Sequence, residues 1–467
     1  MTRRSCCIYA TGIVCAHLLI VGIALVVAQV FQTMIHSRLK KEITLTENSQ
    51  MFEGWKNPPP PVYMEYYFFN VTNPEVFLAG GKAAVKQIGP YTYREYRPRV
   101  NITFLENGTK LYALNPKTFV FVPEKSAGNP EVDLIRTVNI PFVAIMNELN
   151  SYSFFLRTAV SMYLKSLGIE VFMTRTVHEV LWGFKDPVLT KVHSLKPEVD
   201  EYFGLMWKKN GTHEGEFVFH TGEENYLDYG KIDTWNGLRK MSWWSSNQSN
   251  MINGTDGAVF HPLINRNELL YIFAADLCRS IHLGYVKDVE VKGIQAYLVA
   301  ITEAVVDPYL LQSCPAVICL TSRSETSLCC CVFQTTGVPI RACKRAQLNI
   351  ILKRVQGFPI TKLINETIFP IMFVNETATI DDDSASQMRT MLLIVTLVSN
   401  FPLLIVGMGI ILLLVLVVLF CRNRQKKTVK DDTAYTQVSD KPDEPSANQP
   451  TRNGSYIAMS PVEAQKC

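Results

Sequence analysis

Cysteine is the residue type whose spacing most clearly predicts chemistry in this chain of 467 residues. Seven of its 12 cysteines fall within one short region: Cys278, Cys314, Cys319, Cys329, Cys330, Cys331 and Cys343. In an oxidising compartment such a cluster predicts local disulfides, and the odd number leaves at least one thiol unpaired. A zinc site is the alternative, but Cys314-x4-Cys319 lacks zinc-ribbon spacing and nearby histidines, so we predict no metal site.

Signatures of catalysis are missing from the sequence. It contains no G-x-S-x-G, H-E-x-x-H, P-loop or G-x-G-x-x-G motif. Acidic pairs such as Glu223 with Glu224 could serve a glycosidase, although such pairs are more often solvated surface. His213 and His220 could sense acidity, although surface histidines without that role are more common. We therefore predict no catalytic residues, no cofactor and no enzyme activity.

Charge and composition exclude two further classes of protein. The net charge is +4, and the surplus of basic residues lies at the two ends of the chain, so the central part is neutral. This argues against a nucleic-acid-binding surface. With 10% aromatic and 19% charged residues, the chain is not mainly disordered. Its 48% hydrophobic content points instead to membrane segments.

Two long uncharged runs predict membrane-spanning helices. Residues 8–30 are enough to cross a hydrocarbon core of ~30 Å. A cleaved signal peptide is the alternative, but the run is long and has no clear A-x-A site. The second run contains Asn400 and Pro402, so we place its span at residues 401–420. Five basic residues follow it and mark the cytosolic side: Arg422, Arg424, Lys426, Lys427 and Lys430.

Eight N-x-S/T sequons lie between the two spans. They begin at Asn70, Asn101, Asn107, Asn210, Asn247, Asn253, Asn365 and Asn375. Because glycans are added only in the lumen, these sequons predict that residues 31–400 form a lumenal or extracellular domain. Residues 1–7 and 421–467 are then cytosolic, and the protein is a multi-pass hairpin in the membrane.

The domain between the spans combines strand and helix patterns. Strand-like stretches include residues 62–69, 118–122 and 216–220, with Asn-Gly turns between others. Only residues 155–167 show clear helical spacing of apolar side chains. We therefore predict an α+β fold, with an antiparallel sheet core and an inserted helical cluster.

The apolar stripe on that helix is broader than one sheet surface needs. If it is exposed, it predicts a ligand-binding site made of Phe155, Leu156, Val160 and Tyr163, with Lys165 beside them. The alternative is a helix packed normally on its own domain.

The cytosolic tail is polar, which predicts disorder over residues 421–467. Tyr435-Thr-Gln-Val438 and Tyr456-Ile-Ala-Met459 each match the tyrosine-based signals that clathrin adaptors read. We predict that these two motifs direct endocytosis, although so short a pattern also arises by chance.

Four segments of the domain resemble, in this order, the class B scavenger receptor family. They are Tyr67-Phe-Phe-Asn-Val-Thr-Asn-Pro-Glu75, Gly89-Pro-Tyr-Thr-Tyr-Arg-Glu95, Leu181-Trp-Gly-Phe-Lys-Asp-Pro187 and Asn250-Met-Ile-Asn-Gly-Thr-Asp256. The resemblance implies a two-span membrane hairpin whose β-barrel-like ectodomain carries an apical helical bundle and an apolar tunnel for lipid or sterol. It also implies disulfides joining Cys278 to Cys329 and Cys314 to Cys319, with Cys330 or Cys331 as alternatives to Cys329.

Two departures from the family pattern bear on function. About forty residues of that pattern are missing between Cys331 and Thr336. The chain is therefore a splice or gene-model variant, or its neighbouring segments have closed over the gap. Phe154 stands where a hydrolase-carrying family member has a histidine linked to pH-dependent release, which weakens the case for carriage of a hydrolase by that switch.

These observations together predict a non-enzymatic, glycosylated scavenger-type receptor of the lysosomal or late endosomal membrane and the plasma membrane. Its expected partners are membrane lipids, lipoproteins or sterol, with a lysosomal hydrolase and self-association into a homo-oligomer as open alternatives. A two-span oligomeric ion channel and a membrane-tethered hydrolase are the rival functions. Neither span offers a strongly polar pore-lining face, which argues against the channel.

Overall fold

The computed structural model describes residues 3–436 apart from positions 48, 245, 302–315 and 320–327. It divides the chain into two compact units. One consists of Met1–Val30 with Asn400–Cys467, and the other is Phe31–Ser399.

Nine α-helices occur among these residues. They are α1 Arg3–Val27, α2 Val30–Glu42, α3 Gln50–Lys56, α4 Pro74–Leu78, α5 Ile140–Glu148, α6 Phe154–Ser166, α7 Val177–Trp182, α8 Pro187–Leu195 and α9 Asp382–Thr436.

The smaller unit contains the first of the two apolar helices expected of a hairpin and the second from Asn400 onward. Tyr9–Val27 and Asp382–Arg422 are each long and apolar enough to cross a membrane. Within this unit the Cys15 thiol donates to the Gly409 carbonyl at 3.1 Å. Glycine has no side chain to separate two helices, which is why small residues are common at such contacts.

Both helices differ in extent from the predicted spans of residues 8–30 and 401–420. The first helix ends at Val27, and Gln29 follows with φ 47°. The second begins at Asp382, passes through Pro402 and continues to Thr436, into the part of the tail that was predicted to be disordered. The physical reason is that extending a helix costs far less than nucleating one, so polar flanks rich in Lys, Gln and Asp prolong the apolar helix.

Eighteen strands lie among the described residues, all in the larger unit. They are β1 Val62–Val71, β2 Val85–Tyr96, β3 Val100–Leu105, β4 Lys110–Leu114, β5 Thr118–Phe121, β6 Leu134–Val138, β7 Phe172–Thr176, β8 Phe184–Lys185, β9 Tyr202–Phe203, β10 Glu216–His220, β11 Ile232–Trp235, β12 Leu270–Ala274, β13 Arg279–Val291, β14 Ile294–Ile301, β15 Ala316–Cys319, β16 Leu328–Phe333, β17 Val338–Leu352 and β18 Thr367–Thr379.

Ten of these strands form one large antiparallel sheet. Its hydrogen-bonded order is β12-β13-β14-β16-β17-β18-β1-β2-β5, and β15 also pairs with β17. A second sheet has the order β11-β10-β4-β3, and two-stranded sheets join β6 to β7 and β8 to β9. The predicted α+β class with a large antiparallel sheet is therefore confirmed.

The sheet runs without interruption past the place where the family pattern lacks about forty residues. Strand β14 pairs with β16, where Leu298 lies opposite Cys331, and β16 pairs with β17, where Cys330 lies opposite Ala342. The described segments on either side of the gap therefore pair directly, with no unpaired edge between β16 and β17.

The main core of this unit packs the large sheet against the helical segments. Its fully buried aromatic side chains include Tyr66 and Phe68 of β1, Phe142 of α5 and Phe369 of β18. The strands predicted near residues 62–69, 118–122 and 216–220 are confirmed as β1, β5 and β10, and the predicted helix is α6.

Candidate functional site

Helix α6 has well-defined ends, so its apolar side chains are held in fixed directions. The Ser153 side chain caps the N-terminus by accepting from the Leu156 N–H at 3.4 Å. The chain leaves the helix through Leu167 and then Gly168, whose φ of 70° is available to glycine at little cost. On its inner face Leu164 is buried, and Val160 packs on the main core.

The opposite face of α6 presents large apolar side chains to solvent. Phe155 is 82% exposed and Met162 63%, and both lie on one side of the helix with Tyr163. The exposed apolar residues of this region, which we call the α6 patch, are Phe154, Phe155, Leu156, Met162 and Tyr163. A cluster of this kind on a soluble surface is typical of a docking site.

The structure exposes four of the five predicted binding residues and half-buries the fifth. Phe155, Leu156, Tyr163 and Lys165 are exposed on α6 as expected. Val160 is half-buried against the core, so the expectation that it faces a ligand is wrong: it points inward with the packed face of the helix. Sequence reasoning missed Met162, although its spacing of seven residues from Phe155 places it on the same face.

A cavity of about 220 Å³ lies inside the larger unit, next to the large sheet. One part of its lining is apolar and includes Phe217, Ile272, Phe273, Ile281 and Ile340. Another part is charged and includes Arg97, Lys117, Glu214, Asp276, Lys344 and Glu376. We call these six charged residues, together with Glu95, the charged cluster.

The charged cluster is held by a chain of ion pairs. Lys117 pairs with Glu214 and lies 3.7 Å from Asp276. Lys344 lies 3.5 Å from Asp276 and 3.7 Å from Glu376. Arg97 completes the chain by pairing with Glu95 and Glu376, at 2.6 Å from the former. Four carboxyl groups therefore face three cationic side chains, and the cluster has one negative charge too many.

A proton on Glu214 removes this imbalance. Burial raises the pKa of Glu214 to about 7. The positive charge of Lys117 lowers this pKa, and the negative charge of Asp276 raises it further. Burial also disfavours the charged form of Asp276, but Lys117 and Lys344 outweigh it and hold its pKa well below the usual range. The charge settles on Asp276 because this carboxylate lies close to both Lys117 and Lys344, whereas Glu214 pairs with Lys117 alone among these residues.

Glu376 stays charged for a related reason. Its burial would raise its pKa, but Arg97, Lys344 and Lys117 outweigh burial and lower the pKa to about 2. Glu214 therefore takes up a proton as the pH falls below about 7.

Beside the cavity, Arg99 forms a second buried charge site. It pairs with Asp256, donates to the Trp55 carbonyl and lies 4.2 Å from the centroid of the Trp55 ring. Its side chain is 4% exposed. Asp256 and the Trp55 carbonyl thus hold its two terminal nitrogens, whereas its Nε–H is buried without a hydrogen-bond partner among the described residues.

A sequence profile of the CD36 family matches residues 13–332 and 320–420, which together cover most of the chain. The chain belongs to the CD36 family. The two matched segments meet at residues 320–332, next to the place where the family pattern lacks about forty residues.

Individual CD36-family relatives cover nearly the whole chain. It is 36% identical to lysosome membrane protein 2 of Rattus norvegicus and 35% identical to that of Homo sapiens, over 90% of this chain and 96% of each relative. Scavenger receptor class B member 1 of Mus musculus is 29% identical over 89% of this chain and 90% of its own length. The protein is thus a membrane protein related to both receptors, and it shares the non-enzymatic nature of this family.

The cysteine pairing differs from the bridge carried over from the CD36 family. Cys329 forms a disulfide with Cys343, and Cys278 is free. The expected Cys278–Cys329 bridge is therefore wrong in this structure. The physical reason is register: Cys329 and Cys343 lie directly opposite each other on β16 and β17, with their Cα atoms 5.3 Å apart. Cys314 lies outside the described residues, so the predicted bridge to Cys319 stays a prediction.

The eight sequons of this CD36-family member differ in accessibility. Five asparagines are exposed, namely Asn101, Asn107, Asn210, Asn247 and Asn365. Asn70, Asn253 and Asn375 are half-buried. Asn375 is the most enclosed by contacts, because its amide donates to Glu65 at 2.8 Å within the large sheet.

The predicted sorting residues lie at or beyond the end of the described chain. Tyr435 falls in the last turn of α9. Val438, Tyr456 and Met459 are outside the described residues, so their role stays a prediction.

Proposed function

We propose that this protein is a glycosylated scavenger-type receptor that captures a ligand with apolar surface on the α6 patch. The observation that carries the proposal is the exposure of Phe155, Met162 and Tyr163 on one helix whose other face is anchored in the core. The driving force is the dehydration of apolar surface, about 25 cal/mol for each Å² buried. The ligand classes are membrane lipid, lipoprotein or a lysosomal protein.

The receptor also passes lipid or sterol through its ectodomain towards the bilayer. What supports this part is the cavity of about 220 Å³, which is apolar on one side and lies next to the large antiparallel sheet. An apolar lining with a few convergent polar groups is typical of a site for amphiphilic molecules.

The receptor works in the membranes of lysosomes and late endosomes and at the cell surface, with both termini in the cytosol. Support comes from the two candidate spans and the relationship to lysosome membrane protein 2. The tyrosine motifs at Tyr435 and Tyr456 recruit clathrin adaptors in this scheme.

The first test replaces the centre of the α6 patch. In Phe155→Asp with Met162→Asp, ligand binding should weaken roughly tenfold to hundredfold, because a buried side chain of this size contributes about 1.5–3 kcal/mol. Both positions are exposed, so folding should be unaffected, and the intact Cys329–Cys343 bridge and mature glycans would report this. The measurement is binding of lipoprotein, phosphatidylcholine vesicles and a lysosomal hydrolase to cells displaying the full chain.

Val132→Asp is the matched control, because Val132 is 68% exposed and lies outside α6. It introduces one negative charge where the double variant introduces two, and it should leave binding unchanged. If the double variant binds all three probes as well as the wild type, the α6 patch is not the capture site. Loss of binding to only one probe would identify the class of ligand.

A further inference from the structure

An aromatic cleft of about 550 Å³ opens beside β5, at one end of the large sheet. Trp182 forms its centre, with ring centroids 5.1 Å from Tyr93 and 5.4 Å from Phe119. The aromatic lining consists of Tyr93, Phe119, Phe121, Trp182 and Trp207. Trp182 and Trp207 are half-buried, so part of each ring is reachable from solvent.

One wall of this aromatic cleft is Asn210, the first residue of a sequon. Its segment is fixed to the chain next to β5: the Lys117 N–H donates to the Thr212 carbonyl at 3.0 Å, and the Gly211 N–H donates to the Lys117 carbonyl at 2.7 Å. The Asn210 Oδ1 accepts from the Phe119 N–H at 3.0 Å. This bond orients the side-chain amide, whose nitrogen is the atom that carries an N-linked glycan.

We propose that the glycan on Asn210 is part of the fold, with its first N-acetylglucosamine lying in the aromatic cleft. The C–H face of a pyranose ring stacks on aromatic rings, and its polar edge stays in water, which suits a cleft with aromatic walls and an open mouth. The attachment point lies in the wall of the cleft, so the sugar is present at high effective concentration. The occupied cleft would also cover β5, whose strand partner among the described residues is β2.

Site-resolved release of glycans tests this proposal without a variant. The full chain, purified in detergent from glycosylating cells, is treated with an N-glycosidase under native conditions, and release is followed by mass spectrometry of each glycopeptide. The Asn210 glycan should be released about three- to tenfold more slowly than the glycan on the exposed Asn247, because stacking protects it. Equal rates, or an Asn210 that carries no glycan, would overturn the proposal.

A pair of variants at Thr212 gives the second measurement. Thr212→Ala removes the sequon, whereas Thr212→Ser keeps both the sequon and the hydroxyl, which donates to the Lys208 carbonyl at 2.7 Å in the wild type. Acrylamide should quench tryptophan fluorescence more strongly in Thr212→Ala than in Thr212→Ser. Ser249→Ala removes the Asn247 sequon and should leave quenching unchanged. The same quenching in both Thr212 variants would mean that the cleft is not filled by this sugar.

Discussion

Replacing Glu214 by glutamine should remove most of the pH dependence of stability between neutral and acid pH. In the folded chain the pKa of Glu214 is raised from 4.5 to about 7, chiefly by burial. The folded state therefore binds this proton more tightly than the unfolded state, and acidification from pH 8 to pH 4.5 stabilises the fold. At 1.36 kcal/mol for each pKa unit, the gain is about 3 kcal/mol.

The gain ends near pH 4.5 because the unfolded chain then takes up the same proton. Below that pH, further acidification lowers the stability that the charged cluster contributes. The pKa of Glu376 is lowered to about 2, so the stability that it contributes is complete above pH 4.5 and is lost as the pH falls towards 2. The combined contribution of Glu214 and Glu376 to stability should therefore be greatest near pH 4.5.

Thermal unfolding of the full chain in detergent, followed by tryptophan fluorescence from pH 4.5 to pH 8, measures this effect. For a unit the size of Phe31–Ser399, 3 kcal/mol corresponds to a shift in melting temperature of about 4 °C. Glu214→Gln imitates the protonated side chain, so it should match the wild type at pH 4.5 and melt about 4 °C higher at pH 8.

Glu216→Gln is the control, because Glu216 is exposed two residues away on β10. It should keep the wild-type pH profile. The reasoning is refuted if the wild type melts at the same temperature at pH 5 and pH 8, or if Glu214→Gln retains the full slope.

Two further predictions concern the disulfide and the buried arginine. Cys343→Ser should cost about 3 kcal/mol of unfolding free energy, because it opens a bridge with a sequence separation of 14, whereas Cys278→Ser should cost much less. A larger loss for Cys278→Ser than for Cys343→Ser in urea unfolding would instead favour the bridge expected from the CD36 family. Arg99→Met should cost about 3–5 kcal/mol because it leaves Asp256 without its partner. Arg239→Met should cost under about 1 kcal/mol, because the Arg239 side chain is 70% exposed and Asp233 keeps Lys110 as a partner. A normal melting temperature for Arg99→Met would contradict this.

Much of the architecture could be predicted because its signals are local. Hydropathy identified both apolar helices, runs of aromatic and β-branched residues identified β1 and β10, and the spacing of apolar residues identified α6. The ends of the apolar helices were predicted less well. Hydropathy records where the apolar run stops, but a helix continues for as long as its backbone hydrogen bonds can be extended.

The sequence by itself determined the family, the two apolar segments and the position of the α6 patch, because each depends on residues close together in the chain or on motifs in a fixed order. The tertiary structure decided which thiol Cys329 meets, because that depends on the register between β16 and β17. It also turned Val160 inward and assembled the charged cluster from residues between Glu95 and Glu376. These contacts join distant parts of the chain, and the free energy that selects them comes from the packing of the whole domain, which no local pattern encodes.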